Sequence, residues 1–255
     1  MNLLAFDTGT ERMSIAVSRT IDGASHTWQH EATGGALAST GLIPSILDLL
    51  QQAQLPLASL NAICFGAGPG SFTGLRTACS VAQGLAFGAN VPVLPMDSLQ
   101  AVAQEALLCE PTLPGRGVVT ALLDARMNEL YAATYAFDAG RWSTLQERCL
   151  IAPDTLADYL TGLEPLAQGL GHWCVAGNVF DEYAAALQGV VGAGTPFGCI
   201  TALPTARALL LLASAALERG EAVNAAQALP RYVRDKVAQT TQERVAAKAA
   251  PVPGV

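Results

Sequence analysis

The segment that decides the fold is LLAFDTGTERMSIAVSR, which occupies residues 3–19. Two short apolar runs, residues 3–7 and 13–19, flank a turn that contains glycine and threonine. Apolar runs of this length on either side of a glycine turn are typical of paired β-strands. A third, alternating run follows at residues 25–32 after a second glycine turn. The chain is therefore predicted to open with three successive antiparallel strands.

The next part of the chain alternates predicted helices with predicted strands. Apolar residues recur at helical spacing over residues 39–53, and a buried-strand pattern follows at 62–65. Beyond a glycine-rich loop at 66–74, the pattern predicts a helix over 75–88 and then a further strand and a capped helix. The resulting order, β-β-β-α-β-α-β-α, predicts an α/β lobe over residues 1–109.

A second lobe is predicted over residues 110–203, because a turn-rich segment interrupts the periodic pattern at its start. Strand patterns occur at residues 118–123, 130–137 and 174–176, together with short helical patterns. This arrangement echoes the first lobe loosely and predicts a reduced second lobe.

The C-terminal part of the chain contains one strong helix signal. Residues 205–219 form an apolar helical pattern between Pro204 and Gly220, and we expect the unit 204–236 to pack back across the lobes. Residues 237–255 have little to bury and are predicted to be a mobile tail. Residues 231–255 hold 5 basic and 2 acidic residues, so this C-terminal segment is basic, unlike the rest of the chain.

The composition of the 255 residues limits the chemistry. Residues 1–230 hold 9 basic and 19 acidic residues, a balance of −10, so this body is not expected to bind nucleic acid by itself. Two lysines occur, Lys236 and Lys248, which excludes a Walker-type phosphate loop and a Schiff-base enzyme in the body. Six dispersed cysteines indicate a reducing compartment. The longest apolar run, residues 208–217, is too short to span a membrane, so we expect a soluble cytoplasmic protein.

Residues 6–10, Phe-Asp-Thr-Gly-Thr, admit two interpretations. Aspartic proteases also carry Asp-Thr-Gly after an apolar strand, but they need two carboxylates that share one proton. This chain contains a single copy of the motif. The same residues suit the turn between two strands in the architecture of actin, hexokinase and the chaperone ATPases, where such a loop can approach a nucleotide phosphate. We favour the turn, with Asp7 as a candidate residue of a nucleotide or anion site.

Residues 66–76, GAGPGSFTGLR, form a glycine-rich loop that runs directly into a predicted helix. Backbone N–H groups and the positive end of the helix dipole make such a start an anion-binding site. The loop residues of this candidate nucleotide or anion site are Gly68, Gly70, Ser71 and Gly74. Alternatively, the glycines only permit a tight turn and close packing of the helix on the sheet.

Two further clusters receive structural interpretations. His26 and His30 would share one face of a helix, but their run predicts a strand, which separates them by about 13 Å at ~3.3 Å per residue. Asp124, Arg126 and Glu129 lie in a charged turn between two predicted strands. We favour hydrogen bonding within that turn over a substrate site.

Four segments occur in the order and spacing of one bacterial family: GPGSFTGLR at 68–76, QGLAFG at 83–88, DARMNELY at 124–131 and PRYVR at 230–234. On these segments the chain resembles the TsaB family, also called YeaZ, of threonylcarbamoyladenosine biosynthesis proteins. The resemblance implies a two-lobed actin-like α/β fold, of the ASKHA and ribonuclease H-like type.

The resemblance also implies a role in tRNA modification. In that system a separate synthase makes threonylcarbamoyl-adenylate, and the paralogous subunit TsaD transfers the threonylcarbamoyl group to the adenosine beside the anticodon of tRNAs that read codons beginning with adenine. A TsaB chain would pair with TsaD as a non-catalytic scaffold or activator, accompanied by the ATPase TsaE. It would form a homodimer when alone and meet tRNA only through the complex. No cofactor would be bound firmly, and ATP or ADP would occupy a site shared between subunits.

The catalytic paralogue carries a metal-binding His-x-x-x-His just after a Val-Pro-x-Ile-Pro strand. Residues 91–95, VPVLP, match that strand, and Ser98 and Val102 occupy the two histidine positions. Valine cannot ligate a metal and a lone serine is a poor ligand. The sequence therefore predicts no catalytic residue and no metal site in this chain.

A chain that keeps the fold without the chemistry is expected to act through a surface. The helices predicted at residues 39–53 and 75–88 are rich in apolar or small residues. The resemblance implies that they form a bundle with the equivalent helices of TsaD or of a second copy. The candidate interface residues are Leu42, Ile43, Ile46, Leu49, Leu50, Thr77, Val81 and Leu85. The alternative is that both helices only cover the sheet.

Two enzymatic alternatives stay open. An ATP-dependent small-molecule kinase of the same fold would hold phosphates with Asp7 and residues 68–74 and would use Asp124 as base. A peptidase acting on the partner would need a nucleophile beside one of the three histidines, and none of these has a recognisable motif.

Overall fold

The computed structural model describes residues 1–233 apart from residues 112, 114 and 193. The predicted mobile tail at 237–255 lies outside the described residues, as does the end of the predicted unit 204–236.

The first lobe is built on a five-stranded sheet in the order β3-β2-β1-β4-β5. Its strands are β1 (Leu3–Asp7), β2 (Arg12–Ile21), β3 (Ala24–Thr33), β4 (Ala62–Gly68) and β5 (Val93–Asp97). Its helices are α1 (Ala38–Gln52), α2 (Phe72–Ala89) and α3 (Ser98–Cys109). The first three strands are antiparallel, and β4 and β5 run parallel to β1. The predicted order β-β-β-α-β-α-β-α is confirmed.

The second lobe repeats this topology with the sheet order β10-β9-β6-β7-β8. Its strands are β6 (Arg116–Asp124), β7 (Leu130–Asp138), β8 (Arg141–Ile151), β9 (His172–Gly177) and β10 (Gly198–Thr201). Its helices are α4 (Leu156–Ala167) and α5 (Ala184–Leu187), and α6 (Ala206–Glu218) follows them. The duplicated sheet order is that of the actin-like, ribonuclease H-like fold.

The second lobe is reduced in its helices, whereas its sheet has five strands like the sheet of the first lobe. Strand β8 was missed because it is an edge strand with no fully buried residue, so its sequence lacks an alternating apolar pattern. Strand β10 has four residues, too few to show a period. In contrast, α5 has four residues where the corresponding α2 has 18.

The layers of the molecule alternate helices and sheets. Helices α1 and α2 cover one face of the first sheet, and α6 covers the other face. Helix α3 packs on the inner face of the second sheet and contacts α6, while α4 and α5 cover the outer face. None of the described helices combines the length and the apolar character needed to cross a membrane.

Polar contacts tie the two lobes together at this inner layer. The Arg148 guanidinium on β8 lies 3.1 Å from a carboxylate oxygen of Asp97, which caps α3. Burial raises the pKa of Asp97, although Arg148 opposes that shift. Trp142 donates from its indole nitrogen to Gln104 of α3 at 3.0 Å. These bonds hold the second sheet against helix α3 of the first lobe.

Candidate functional site

Two loops meet at the carboxyl ends of the parallel strands β1 and β4. The Ser71 N–H donates to the Gly9 carbonyl at 2.7 Å, and the Thr8 hydroxyl donates to the Gly74 carbonyl at 2.8 Å. A Cβ atom added at Gly70 would lie 2.7 Å from the Gly9 carbonyl oxygen. The turn after β1 and the glycine-rich loop are therefore packed directly on each other.

Asp7 lies beneath these loops and is buried. Its carboxylate accepts hydrogen bonds from the Gly9 N–H at 2.7 Å and from the Ser98 hydroxyl at 2.9 Å. Burial raises the pKa of Asp7 to about 6, and the two hydrogen bonds oppose that shift. Gly66 leaves room for the carboxylate, because a Cβ there would lie 1.7 Å from an Asp7 oxygen. Asp7 thus stabilises the turn after β1 and does not line the cleft between the lobes.

Replacing Asp7 by asparagine is expected to raise the free energy of unfolding by about 2 kcal/mol at pH 8, because a buried amide needs no ionisation. In the native protein the carboxyl titrates near pH 6, compared with 3.8 for an unperturbed group. The native state thus binds more protons in this interval, so stability falls as pH rises from about 4 to about 6 and is level above that range.

Urea unfolding at a series of pH values checks this prediction. The native protein should show a steeper decline than the Asp7→Asn variant, in which Asp97 still has a raised pKa. A variant no more stable than the native protein above pH 7 would contradict the burial argument.

The glycines of the predicted anion loop are used mainly for close packing. A Cβ at Gly74 would lie 1.9 Å from the Thr8 carbonyl oxygen, and a Cβ at Gly68, whose φ is +119°, would lie 2.6 Å from the Arg231 carbonyl oxygen. The Gly74 N–H already donates to the Ser71 hydroxyl, which caps α2. The packing alternative therefore accounts for these glycines.

A cleft of about 490 Å³ lies between the lobes beside these loops. Of the five residues predicted for an anion site, Gly70 and Ser71 line it, whereas Asp7, Gly68 and Gly74 do not. The cleft is also lined by residues that were not predicted to lie there, among them Glu11, Phe72, Met127, Asn178, Arg231 and Tyr232. They come from five separate parts of the chain, and no local pattern joins them.

The turn between β6 and β7 forms the second-lobe wall of the cleft. Asp124 accepts hydrogen bonds from the Arg126 N–H and the Tyr183 hydroxyl, both at 2.8 Å, and pairs with the Arg126 guanidinium at 2.9 Å. Arg126, Met127 and Asn128 all have left-handed φ values of 57–60°. Asp124 therefore serves the turn network, as favoured from the sequence. The kinase alternative would need the same carboxylate as a base.

Residues 228–233 cross the glycine-rich loop and form the third wall. The Arg231 N–H donates to the Ala67 carbonyl at 2.7 Å, and the Ala228 carbonyl accepts from the Gln83 side chain at 2.9 Å. Within the sequence, the only sign of this contact was the segment at 230–234 that contributes to the family resemblance.

The structure corrects the candidate interface on α1. Leu42, Ile46, Leu49 and Leu50 lie in the core of the first lobe and cannot reach a partner. The sequence could not tell which apolar stripe faces the sheet. The exposed apolar residues of α1 are Ile43 and Leu47, and Leu47 was not predicted.

The candidate interface residues of α2 are partly exposed at the surface. Thr77, Val81 and Leu85 are partly exposed, and Val81 and Leu85 also pack against the core. Phe87, which was not predicted, has an exposed fraction of 85%.

The histidine pair lies where the strand interpretation puts it. His26 and His30 are exposed on β3. Within the described residues, no group of three or more histidine, cysteine or acidic side chains is placed to hold a metal ion.

Comparisons with known proteins give one consistent family. The chain is 30% identical to the tRNA threonylcarbamoyladenosine biosynthesis protein TsaB of Escherichia coli over 246 residues, which are 93% of this chain and 96% of that protein. It is also 30% identical to the TsaB protein of Haemophilus influenzae, over 93% of this chain and 95% of that one. A family model described as TsaD, tRNA N6-adenosine threonylcarbamoyltransferase, matches residues 38–242.

A solved structure agrees with these relatives. YeaZ from Pseudomonas aeruginosa superposes with a TM-score of 0.73 and is 34% identical, covering 91% of this chain and 99% of that one.

Proposed function

Because the chain belongs to the TsaB family of tRNA threonylcarbamoyladenosine biosynthesis proteins, we propose that it is the non-catalytic subunit that pairs with TsaD and activates it. In this proposal TsaD transfers the threonylcarbamoyl group from threonylcarbamoyl-adenylate to the adenosine beside the anticodon. TsaE is the accompanying ATPase, tRNA is met only through the complex, and the chain works in the cytoplasm.

The observation that carries this proposal is the outer face of α1 and α2. Helix α1 contains one charged residue, Asp48, and α2 contains one, Arg76, near its start. Ile43, Leu47 and Phe87 are exposed on these helices, with exposed fractions of 44, 52 and 85%. The fully buried centres of protein interfaces are depleted of charge and enriched in aromatic side chains. This face thus has the composition of an interface centre.

Two glycines of α2 support the same surface. At Gly84 and Gly88 an added Cβ would meet nothing within 4 Å, so packing within the protomer does not require glycine there. Glycine inside a helix costs about 0.5–1 kcal/mol relative to alanine. Small residues let a second helix approach closely, since interaxial distance depends on the side chains at the contact. A helix of TsaD lying across α2 accounts for both glycines.

The surroundings of α3 support a non-catalytic role. Ser98 and Val102, the positions of the metal-binding histidines in the catalytic paralogue, are both fully buried. Ser98 is engaged with Asp7. No firmly bound cofactor belongs to the proposal, and ATP or ADP would be held where the cleft meets a partner subunit.

If a second copy of the chain and TsaD bind the same helix face, they compete for it. We propose that the chain alone forms a homodimer through α1 and α2, and that TsaD displaces the second copy. Light scattering after size exclusion should show the homodimer mass for the chain alone and the heterodimer mass after TsaD is added.

Reconstitution tests the proposed function. A mixture of adenylate synthase, TsaD, TsaE, threonine, bicarbonate, ATP and tRNA should modify tRNA only when this chain is present. Equal modification of tRNA without the chain would contradict the activator role. Failure to form a heterodimer would contradict the pairing with TsaD.

A further inference from the structure

An aromatic and arginine cluster stands at the mouth of the cleft. The rings of Phe72 and Tyr232 lie 5.5 Å apart with an interplanar angle of 33°. The Arg76 guanidinium lies 3.8 Å from the centre of the Phe72 ring and donates to the Tyr232 hydroxyl at 3.2 Å. These contacts orient Tyr232 although it is near the C-terminal end of the described chain. Its exposed fraction is 44%, so part of this side chain faces solvent.

An exposed methionine and two arginines also line this cleft. Met127 has an exposed fraction of 66% and lies on the left-handed turn beside Arg126. Arg231, Arg126 and Arg76 surround the mouth, and Arg231 and Arg126 line the cleft itself. Glu11 and Asp124 are the acidic residues of the lining. Asp124 is already paired with Arg126. The Asp97 carboxylate also acts electrostatically on Arg231, so the positive charge of the mouth is centred on Arg76 beside the two rings.

Two backbone N–H groups of the glycine-rich loop are already engaged within the protein. The Ser71 N–H donates to Gly9, and the Gly74 N–H donates to Ser71. Those donors are therefore not available to cradle a phosphate chain. The exposed rings instead suit a base that is held by stacking while its sugar-phosphate backbone stays outside. Single-stranded nucleic acids bind proteins through this combination of aromatic platforms and arginines.

We propose that Tyr232, supported by Phe72 and Arg76, stacks on an unpaired base of the RNA loop that the complex modifies. Arg231 contacts the neighbouring phosphate. This inference rests on the proposed function, since it is the complex that brings RNA to the chain. It assigns the acidic body one local RNA contact and explains why a tyrosine and three arginines converge at the cleft mouth.

The test uses the complex of this chain with TsaD and a labelled anticodon stem-loop RNA from a substrate tRNA. The Tyr232→Leu variant should weaken stem-loop affinity about tenfold by fluorescence anisotropy, since stacking on one base typically contributes that much or more. Tyr232→Phe, which keeps the ring, should bind within about twofold of the native complex. Arg231→Gln should lower the slope of log affinity against log salt concentration by about 1.

Two comparisons make the outcome specific. Arg116→Gln removes an exposed arginine of β6 that lies outside the cleft lining, and it should leave affinity unchanged. A fully paired RNA duplex of the same length should bind the native and Tyr232→Leu complexes equally, because it offers no unpaired base. Equal losses for duplex and stem-loop would overturn the stacking role.

Light scattering on the same samples separates this inference from the proposed function. An intact heterodimer whose stem-loop affinity does not change in Tyr232→Leu would overturn the stacking site alone. If that variant instead lowered only the affinity of the isolated chain for ATP, the cluster would be a free-nucleotide site and the RNA assignment would be wrong. If the native chain formed no heterodimer with TsaD, the proposed function would be overturned, and with it the RNA contact that rests on it.

Discussion

Replacing Ile43 and Gly84 together by glutamate is expected to abolish pairing with TsaD and to lower tRNA threonylcarbamoylation by about 100-fold or more. Ile43 is exposed on α1, and Gly84 faces open space on α2. The Ile43 side chain is outside the core and a Cβ added at Gly84 would meet nothing within 4 Å, so the variant chain should fold. At a helix interface each new carboxylate would be buried without a partner, which costs several kcal/mol.

The interface prediction is checked by light scattering of the variant with TsaD and by the reconstituted modification assay. Leu166→Glu is the control, because Leu166 is an exposed aliphatic residue on α4, with an exposed fraction of 54% against 44% for Ile43. The control should pair and activate normally. If the double variant Ile43→Glu/Gly84→Glu still paired with TsaD, this face would be excluded as the TsaD interface.

Replacing Gly74 by alanine is expected to lower the free energy of unfolding by about 3 kcal/mol. The new Cβ would lie 1.9 Å from the Thr8 carbonyl oxygen and 2.7 Å from the Ser71 hydroxyl. Both neighbours are held by hydrogen bonds, so relief of the contact requires the turn after β1 to separate from the start of α2. This change would also widen the loop side of the cleft.

Urea unfolding of the isolated variant measures this effect. Gly162→Ala is the control, since Gly162 lies inside α4 and an added Cβ meets nothing within 4 Å. That substitution should stabilise the chain by about 0.5–1 kcal/mol through helix propensity. If Gly74→Ala unfolded at the urea concentration of the native protein, the close packing of the two loops would not be rigid.

The strands and helices with strong local signals could be predicted from the sequence. The opening meander, the helices α1, α2 and α6 and the central strands of the second sheet all carry apolar periodicity or glycine turns. The TsaB family was also predicted from four short segments, and its relatives confirm it. Strands β8 and β10 were not predicted, because an exposed edge strand and a four-residue strand produce no periodic apolar pattern.

The candidate site was predicted in part. Local residue types pointed to the turn at Asp7 and to the glycine-rich loop, and both lie at one end of the first sheet. Their roles could not be predicted, because burial of Asp7 and the use of Gly74 as a packing position depend on contacts with distant residues. The helix faces show the same limit, since apolar Leu42 and apolar Ile43 are indistinguishable by type, yet one is fully buried and the other exposed.

The sequence by itself determined the order of elements in the first lobe, the α/β class and the family, because strand and helix periods, turn residues and motif spacing are local properties of the chain. Only the tertiary structure decided which helix face is open to a partner and which residues share the cleft. Gly74 meets Thr8, and Arg231 meets Ala67, across separations that no local pattern encodes. Such contacts follow from the packing of whole layers, and they place the glycine-rich loop against the turn after β1, beside the aromatic cluster at the cleft.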